Sequence, residues 1–167
     1  LPAFTGAGTF TTRKSENLAH HSGMILLDVD ELPDAAAAER MRDVFAADSC
    51  TVAAFVSPGG LGCKAVVRID APAHDAEHKE AFAALEEYWK GRGVTLDHKC
   101  KDVARLCYVS HDPQAFIRQR PAAAFRWRKL TIESIADFLA TPPPLLDCVV
   151  DELFEAGDKG EIIAPSK

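Results

Sequence analysis

Two aspartates, Asp28 and Asp30, stand two residues apart at the end of an apolar run that begins at Met24. The run predicts a buried strand, and residues i and i+2 of a strand point to the same face of its sheet. The two carboxylates would then lie side by side and repel each other unless a cation lies between them. Carboxylate oxygens suit Mg²⁺ or Mn²⁺. Asp28 and Asp30 are therefore candidate metal ligands, with a solvated loop start or a helix cap as the alternative.

The elements around these aspartates alternate between strand and helix patterns. In chain order they are a strand at 24–30, a helix at 35–45, strands at 51–56 and 63–69, a helix at 75–90 and a strand at 105–109. The order βαββαβ is that of the ferredoxin or RRM-like α+β fold. We expect an antiparallel sheet with helices on one face and the metal or nucleotide site on the open face. In the usual order, 4-1-3-2, the first strand lies between the third and the fourth.

That strand order would bring charged side chains that are distant in sequence to one edge of the sheet. Asp28 and Asp30 end the first strand, Lys64 begins the third, Arg105 begins the fourth, and Asp97 lies just before it. The three carboxylates could hold divalent metals, and the two cations could hold phosphates. The alternative is a structural role for each residue alone, with Asp97 as a cap and Lys64 as a solvated strand residue.

A glycine-rich turn at 57–62 joins the second and third strands. Ser57, Gly59 and Gly60 lie in it, and its backbone N–H groups could bind the same anion as Lys64 and Arg105. Two metal ions beside a triphosphate would stabilise both the attacking and the leaving oxygen of a nucleotidyl transfer. The combination therefore favours phosphoryl or nucleotidyl transfer.

The motifs resemble those of the archaeo-eukaryotic primase superfamily of primase–polymerases, and within it the VirE amino-terminal-like domain of phage, plasmid and prophage replication proteins. That superfamily carries an Asp-x-Asp pair, a Ser-x-His type turn and strand, and a hydrophobic residue followed by Asp. The matching segments are 28–30, 57–64 and 96–97, and the resemblance covers about residues 6 to 120. It implies catalytic metal ligands at Asp28, Asp30 and Asp97. It also implies nucleotide contacts from Ser57, Gly59, Gly60, Lys64 and Arg105.

One position departs from the broader superfamily. Lys64 stands where many primases have histidine. Lysine can neutralise a phosphate as a point charge, but it does not act as an acid or base near neutral pH as histidine does. Whether catalysis survives this difference is open on the sequence alone.

Composition limits the classes of partner. The net charge of −6 argues against nonspecific nucleic-acid binding by the whole surface, although a local basic groove is compatible with it. Five cysteines without paired spacing indicate reduced thiols in a cytoplasmic protein. His98, Cys100, Cys107 and His111 cluster in sequence but lack the spacing of a zinc knuckle. No membrane-spanning run is visible, so we expect no membrane partner.

The carboxyl-terminal third contains a basic-aromatic stretch, followed by residues that we expect to lie outside the catalytic domain. Cations alternate with Phe125 and Trp127, which indicates either a helix that packs both aromatics inward or a track for single-stranded nucleic acid. We expect a catalytic domain at 1–140, a proline linker at 141–144, and the truncated start of a RecA-like helicase domain at 145–167. A helicase would then be the partner domain in a longer chain.

The sequence predicts a metal-dependent nucleotidyltransferase, a DNA primase–polymerase of mobile-element replication. It would use Mg²⁺ or Mn²⁺ to add nucleoside triphosphates to a 3′-hydroxyl on a single-stranded DNA template. One alternative is a catalytically degenerate module that binds nucleotide or single-stranded DNA. The other is a metal-dependent nuclease, which would cut DNA without any triphosphate.

Overall fold

The computed structural model describes residues 1–72 and 74–128, which belong to a unit that spans Leu1–Lys129. In this part of the chain the fold is α+β, with two α-helices and antiparallel sheets. The strands are β1 (Ala3–Thr5), β2 (Gly8–Phe10), β3 (Leu18–His21), β4 (Met24–Val29), β5 (Thr51–Val56), β6 (Cys63–Arg68), β7 (Leu106–Tyr108) and β8 (Phe116–Ile117). The helices are α1 (Ala35–Ala47) and α2 (Asp75–Lys90), with 3-10 turns at Ser15–Asn17 and His98–Lys101.

The largest sheet among the described residues has four antiparallel strands in the order β4-β6-β5-β8. The predicted neighbours of β6 are confirmed, because β4 pairs along one edge of β6 and β5 along the other. The hairpin between β5 and β6 turns through residues 57–62, where the sequence predicted it. This hairpin sets the position of Lys64 relative to β4.

The predicted place of the last strand is wrong. Leu106–Tyr108 pairs with Ala3–Thr5 in a separate two-stranded sheet, and not with β4. Part of the outer edge of β4 is already occupied, because the Asp97 N–H donates a hydrogen bond of 2.8 Å to the Asp28 carbonyl. The segment before β7 therefore covers that edge, and β7 forms its ladder with the amino-terminal strand.

Both helices begin where the sequence predicted them. The Ala37 N–H donates to Asp34 Oδ1 at 2.6 Å, which caps α1, and His74 caps α2. The predicted stripe on α2, which includes Phe82 and Trp89, is fully buried. It packs in one core cluster with Phe45 of α1 and with alternate residues of β4 and β6: Ile25, Leu27, Val29, Cys63, Ala65 and Val67. The helices thus pack on one face of the sheet, and Asp28 and Lys64 lie on the other.

The basic-aromatic stretch is not a helix up to residue 128, so that part of the prediction is wrong. Its aromatic residues do pack inward, as expected: Trp127 is buried and its indole N–H donates to the Asp70 carbonyl at 2.9 Å. Arg118 donates to three backbone carbonyls, those of Ala46, Asp48 and Thr51. These contacts give Arg118 a structural role at the end of α1.

The predicted proline linker at 141–144 and the predicted helicase start at 145–167 lie outside the described residues, as does the end of the predicted 1–140 domain. Within the described residues, no helix has the length and apolar character needed to cross a membrane.

Candidate metal and phosphate site

Asp28 and Lys64 face each other directly across β4 and β6. Because the Asp28 carbonyl points away from β6 toward Asp97, the two residues form a non-hydrogen-bonded pair, in which side chains come closest. The Lys64 ammonium donates to Asp28 Oδ2, and the two side chains are only 15% and 6% exposed. Burial raises the pKa of the Asp28 carboxyl, and Lys64 opposes that rise. The prediction that these residues converge is confirmed, while the alternative of a solvated Lys64 is wrong.

A second pair of opposite charges lies beside the first. Arg105 donates to Asp97 Oδ2 at 2.9 Å, and the Asp97 backbone is bound to that of Asp28. Asp97 also caps the 3-10 turn His98–Lys101, because its Oδ1 accepts the Lys99 N–H at 3.0 Å. Capping and a place beside Asp28 were predicted as alternatives, and Asp97 does both. Arg105 is close enough to Asp28 to affect its pKa.

Cys100 also belongs to this site, although its sequence neighbourhood had suggested only a zinc knuckle of unsuitable spacing and not a place beside Asp28 and Asp97. One ligand atom from each of Asp28, Asp97 and Cys100 lies within 4.8 Å of the other two. Burial raises the pKa of the Cys100 thiol to about 12, and the nearby carboxylates act in the same direction. The spacing Asp97-x-x-Cys100 was the available signal, since residues three apart lie on one side of a 3-10 turn.

Asp30 lies outside that group of ligand atoms, although it is close enough to raise the pKa of the Asp28 carboxyl. β4 ends at Val29, so Asp30 is the first residue after the strand, and it is exposed. It lies instead beside the glycine-rich turn: an ideal Cβ on Gly62 would meet Asp30 Oδ1 at 3.1 Å and Ser57 Oγ at 2.9 Å. The prediction that both carboxylates lie on one buried strand face is therefore wrong for Asp30, whose carboxylate is exposed but still near that of Asp28.

The turn at 57–62 has the compact form expected of a hairpin loop. The Ser57 N–H donates to the Gly62 carbonyl at 2.8 Å, and the Gly60 N–H donates to the Ser57 carbonyl at 2.9 Å. Gly60 has φ +78°, a conformation that favours glycine. Gly59 is exposed at the tip. Ser57 and Asp30 both border Gly62, so the turn and the end of β4 meet at this point.

A cleft of roughly 500 Å³ opens beside the charged groups. Asp30 and Asp97 both line it, together with Lys99 and with apolar side chains that include Met41 and Leu96. Its volume is in the range of cavities that hold small ligands. Asp97 thus belongs both to the cleft wall and to the group that contains Asp28 and Cys100.

The donor set fits a divalent cation. Asp28 is 4% exposed; among the described residues its buried Oδ1 has no hydrogen-bond partner, while Oδ2 pairs with Lys64. A buried carboxylate oxygen without a partner is costly, and a bound cation would remove that cost. Asp97 has the lone pairs to accept a cation in addition to its present donors. Asp28 and Asp97 could therefore hold a metal while Lys64 and Arg105 balance the remaining charge.

Comparison with known families matches residues 1–116 to the family described as BT4734-like, N-terminal domain. The match covers more than half of the chain, so the chain belongs to this family. Its description names a domain and no activity. No curated protein matches the chain. No solved structure matches it either.

Proposed function

We propose that this member of the BT4734-like N-terminal domain family is a metal-dependent nucleotidyltransferase of the primase–polymerase type. Its substrates would be nucleoside triphosphates and a single-stranded DNA template, with Mg²⁺ or Mn²⁺ as the cofactor. The observation that carries the proposal is the meeting of two carboxylates and two cations, Asp28, Asp97, Lys64 and Arg105, from segments far apart in sequence. The resemblance to the VirE amino-terminal-like primases supplies the reaction class.

The acidic and the basic residues of the site would have different roles. Asp28 and Asp97 would ligate the divalent metal, which when bound supplies Lewis-acid stabilisation of the reacting oxygens. Lys64 and Arg105 now pair with these carboxylates, and they would turn to the phosphates once the metal neutralises the acids. Asp30 borders both the turn and the cleft, where it could ligate a second ion that arrives with the triphosphate.

The glycine-rich turn and a helicase domain would complete the proposed nucleotide site and its surroundings. The turn at 57–62 would offer to the triphosphate the backbone N–H groups other than those of Ser57 and Gly60, which already donate within the turn. In a longer chain, such a domain would prime replication next to a helicase domain. It would do so in the cytoplasm. The buried thiols of Cys63, Cys100 and Cys107 agree with a reducing compartment.

Primer extension tests the proposal directly. The full chain is incubated with single-stranded DNA, labelled nucleoside triphosphates and Mn²⁺, and the products are sized. We expect extended or newly primed strands, which disappear in Asp28→Asn and Asp97→Asn. Glu39→Gln, which changes an exposed carboxylate on α1, is the matched control and should retain activity. Incorporation that persists in both aspartate variants, or that fails in the wild-type chain, contradicts the proposal.

A second candidate is a binding module without catalysis. The observation that favours it is the ion pairing itself, because each carboxylate of the site already has a cationic partner. Such a module would bind labelled triphosphate or single-stranded DNA in a filter assay and give no product in the extension assay. A preparation that binds and extends excludes this candidate.

A further inference from the structure

We infer that Asp28, Asp97 and Cys100 form a mixed carboxylate–thiolate site that binds a thiophilic divalent cation such as Zn²⁺ or Cd²⁺, and that Cys100 sets its metal preference. The inference rests on the metal site of the proposed function, but it requires neither nucleotide nor DNA. It adds a ligand that the motif resemblance does not include.

The three ligand atoms are close enough to surround one ion after movements of about 1 Å. In a tetrahedral Zn²⁺ site with bonds of about 2.0–2.3 Å, two ligand atoms lie about 3.3–3.8 Å apart. The ligand atoms of Asp28, Asp97 and Cys100 lie within 4.8 Å of one another. Asp97 begins the turn that carries Cys100, and its backbone bond to Asp28 ties that turn to β4. The ligands are therefore held by fixed elements.

A second observation points to a ligand at the Asp28 carboxylate. Asp28 is 4% exposed, and its Oδ1 has no hydrogen-bond partner among the described residues. Buried polar atoms are almost always satisfied by protein, water or an ion. Lys64 occupies only Oδ2, so a cation at Oδ1 would complete the carboxylate without displacing the ammonium.

The donor set decides which cation the site prefers. Carboxylate oxygens alone favour Mg²⁺ or Mn²⁺, whereas a thiolate ligand favours softer ions. Three protein ligands would leave a fourth position of a tetrahedral ion open to water or substrate, as in catalytic zinc sites. On binding, the metal–sulfur bond forms and the Cys100 proton leaves to solvent, so no oxidant or reductant is needed.

Cd²⁺ titration of the chelator-treated full chain tests the inference. A Cd²⁺–thiolate bond gives an ultraviolet charge-transfer band, and we expect the band to saturate at one equivalent. The band should be lost in Cys100→Ser and kept in Cys107→Ser, the matched control, because Cys107 is a buried thiol in the same small cavity but outside the group of ligand atoms. Asp28→Asn should weaken Cd²⁺ binding at least tenfold.

If Cys100→Ser fails to fold, a measurement on the unmodified chain still tests the inference. ¹¹³Cd–¹H correlation spectra should connect the bound ion to the β-protons of Cys100. A band that persists in Cys100→Ser, a correlation to another cysteine, or no thiolate band at all overturns the inference. Mn²⁺-dependent primer extension together with no thiolate band would overturn this inference alone. A Cd²⁺–Cys100 bond in a chain that incorporates no nucleotide would overturn the proposed function alone.

Discussion

Replacing Lys64 by methionine removes the cation that pairs with Asp28 and keeps an unbranched side chain on β6. Breaking a buried ion pair by removing one partner costs about 3–5 kcal/mol. The lower end of this range applies here, because the Lys64 side chain is 15% exposed and the Arg105 guanidinium still acts on the Asp28 carboxylate. We expect a loss of about 3 kcal/mol in unfolding free energy. For a chain of this size that corresponds to a fall in melting temperature of about 6–12 °C.

The same variant should respond more strongly to metal. With Lys64 absent, a divalent cation becomes the main neutralising charge at the buried Asp28 carboxylate, so binding recovers part of the lost stability. Calorimetric melting with Mn²⁺ and with chelator should therefore show a larger Mn²⁺-induced rise in Lys64→Met than in the wild-type chain. The double variant Asp28→Asn/Lys64→Met should melt higher than Lys64→Met in chelator and should lose the Mn²⁺ response.

The control for this experiment is Lys14, whose ion pair with Glu16 is exposed. The Lys14 side chain is 68% exposed beside Glu16, and its replacement by methionine should change stability by less than about 0.5 kcal/mol. If Lys64→Met melts like the wild-type chain, Asp28 is not held by a buried ion pair. Equal Mn²⁺ responses in the two chains would refute metal binding at Asp28.

Three further predictions concern pH, the turn and a second buried ion pair. Burial and contact with a second buried histidine lower the pKa of His21 from 6.5 to about 4, so His21 binds a proton more readily in the unfolded chain than in the folded one. Its contribution to stability should be complete above pH 6.5 and should fall by about 3 kcal/mol toward pH 4, measured as melting temperature against pH and compared with His21→Gln. Gly62→Ala should cost about 1–3 kcal/mol in denaturant unfolding, because the new Cβ would lie 2.9 Å from a backbone carbonyl of β4, whereas Gly59→Ala meets nothing and should be neutral. Asp112→Ala should cost about 3 kcal/mol, because it leaves a guanidinium that is 11% exposed without its buried partner; Asp43→Ala removes a partner that is 70% exposed and should change thermal stability little.

Local sequence patterns sufficed for the elements that surround the site. The apolar stripe with Phe82 and Trp89 predicted α2, and the glycine-rich turn predicted the hairpin that brings Lys64 opposite Asp28. Both features depend on residues close in sequence, where spacing and turn chemistry determine structure. The predicted fold order placed Lys64 beside Asp28 correctly. Asp97 and Arg105 also lie beside Asp28, but through the segment before β7 and not through the predicted pairing of the last strand with β4.

The parts that the sequence did not predict depend on long-range contacts or on where a strand stops. β1 has three residues and no periodic pattern, so nothing in the local sequence predicted that it pairs with β7. The rule that i and i+2 share a face holds only inside a strand, and β4 ends before Asp30. Cys100 lies close to Asp28 only because a 3-10 turn follows Asp97 at the edge of the sheet.

We propose that Asp28 and Asp97 hold a divalent metal beside a triphosphate that Lys64 and Arg105 bind. The decisive experiment is a crystal structure of the full chain with Mn²⁺ and a nonhydrolysable nucleoside triphosphate, analysed by anomalous scattering at the manganese edge. We expect an anomalous peak at about 2.0–2.4 Å from carboxylate oxygens of both aspartates, in the range for hard cations. We also expect Lys64 or Arg105 to contact the phosphates. A peak elsewhere, or a nucleotide bound while both ion pairs stay intact and no metal contacts Asp28, would rule out this site.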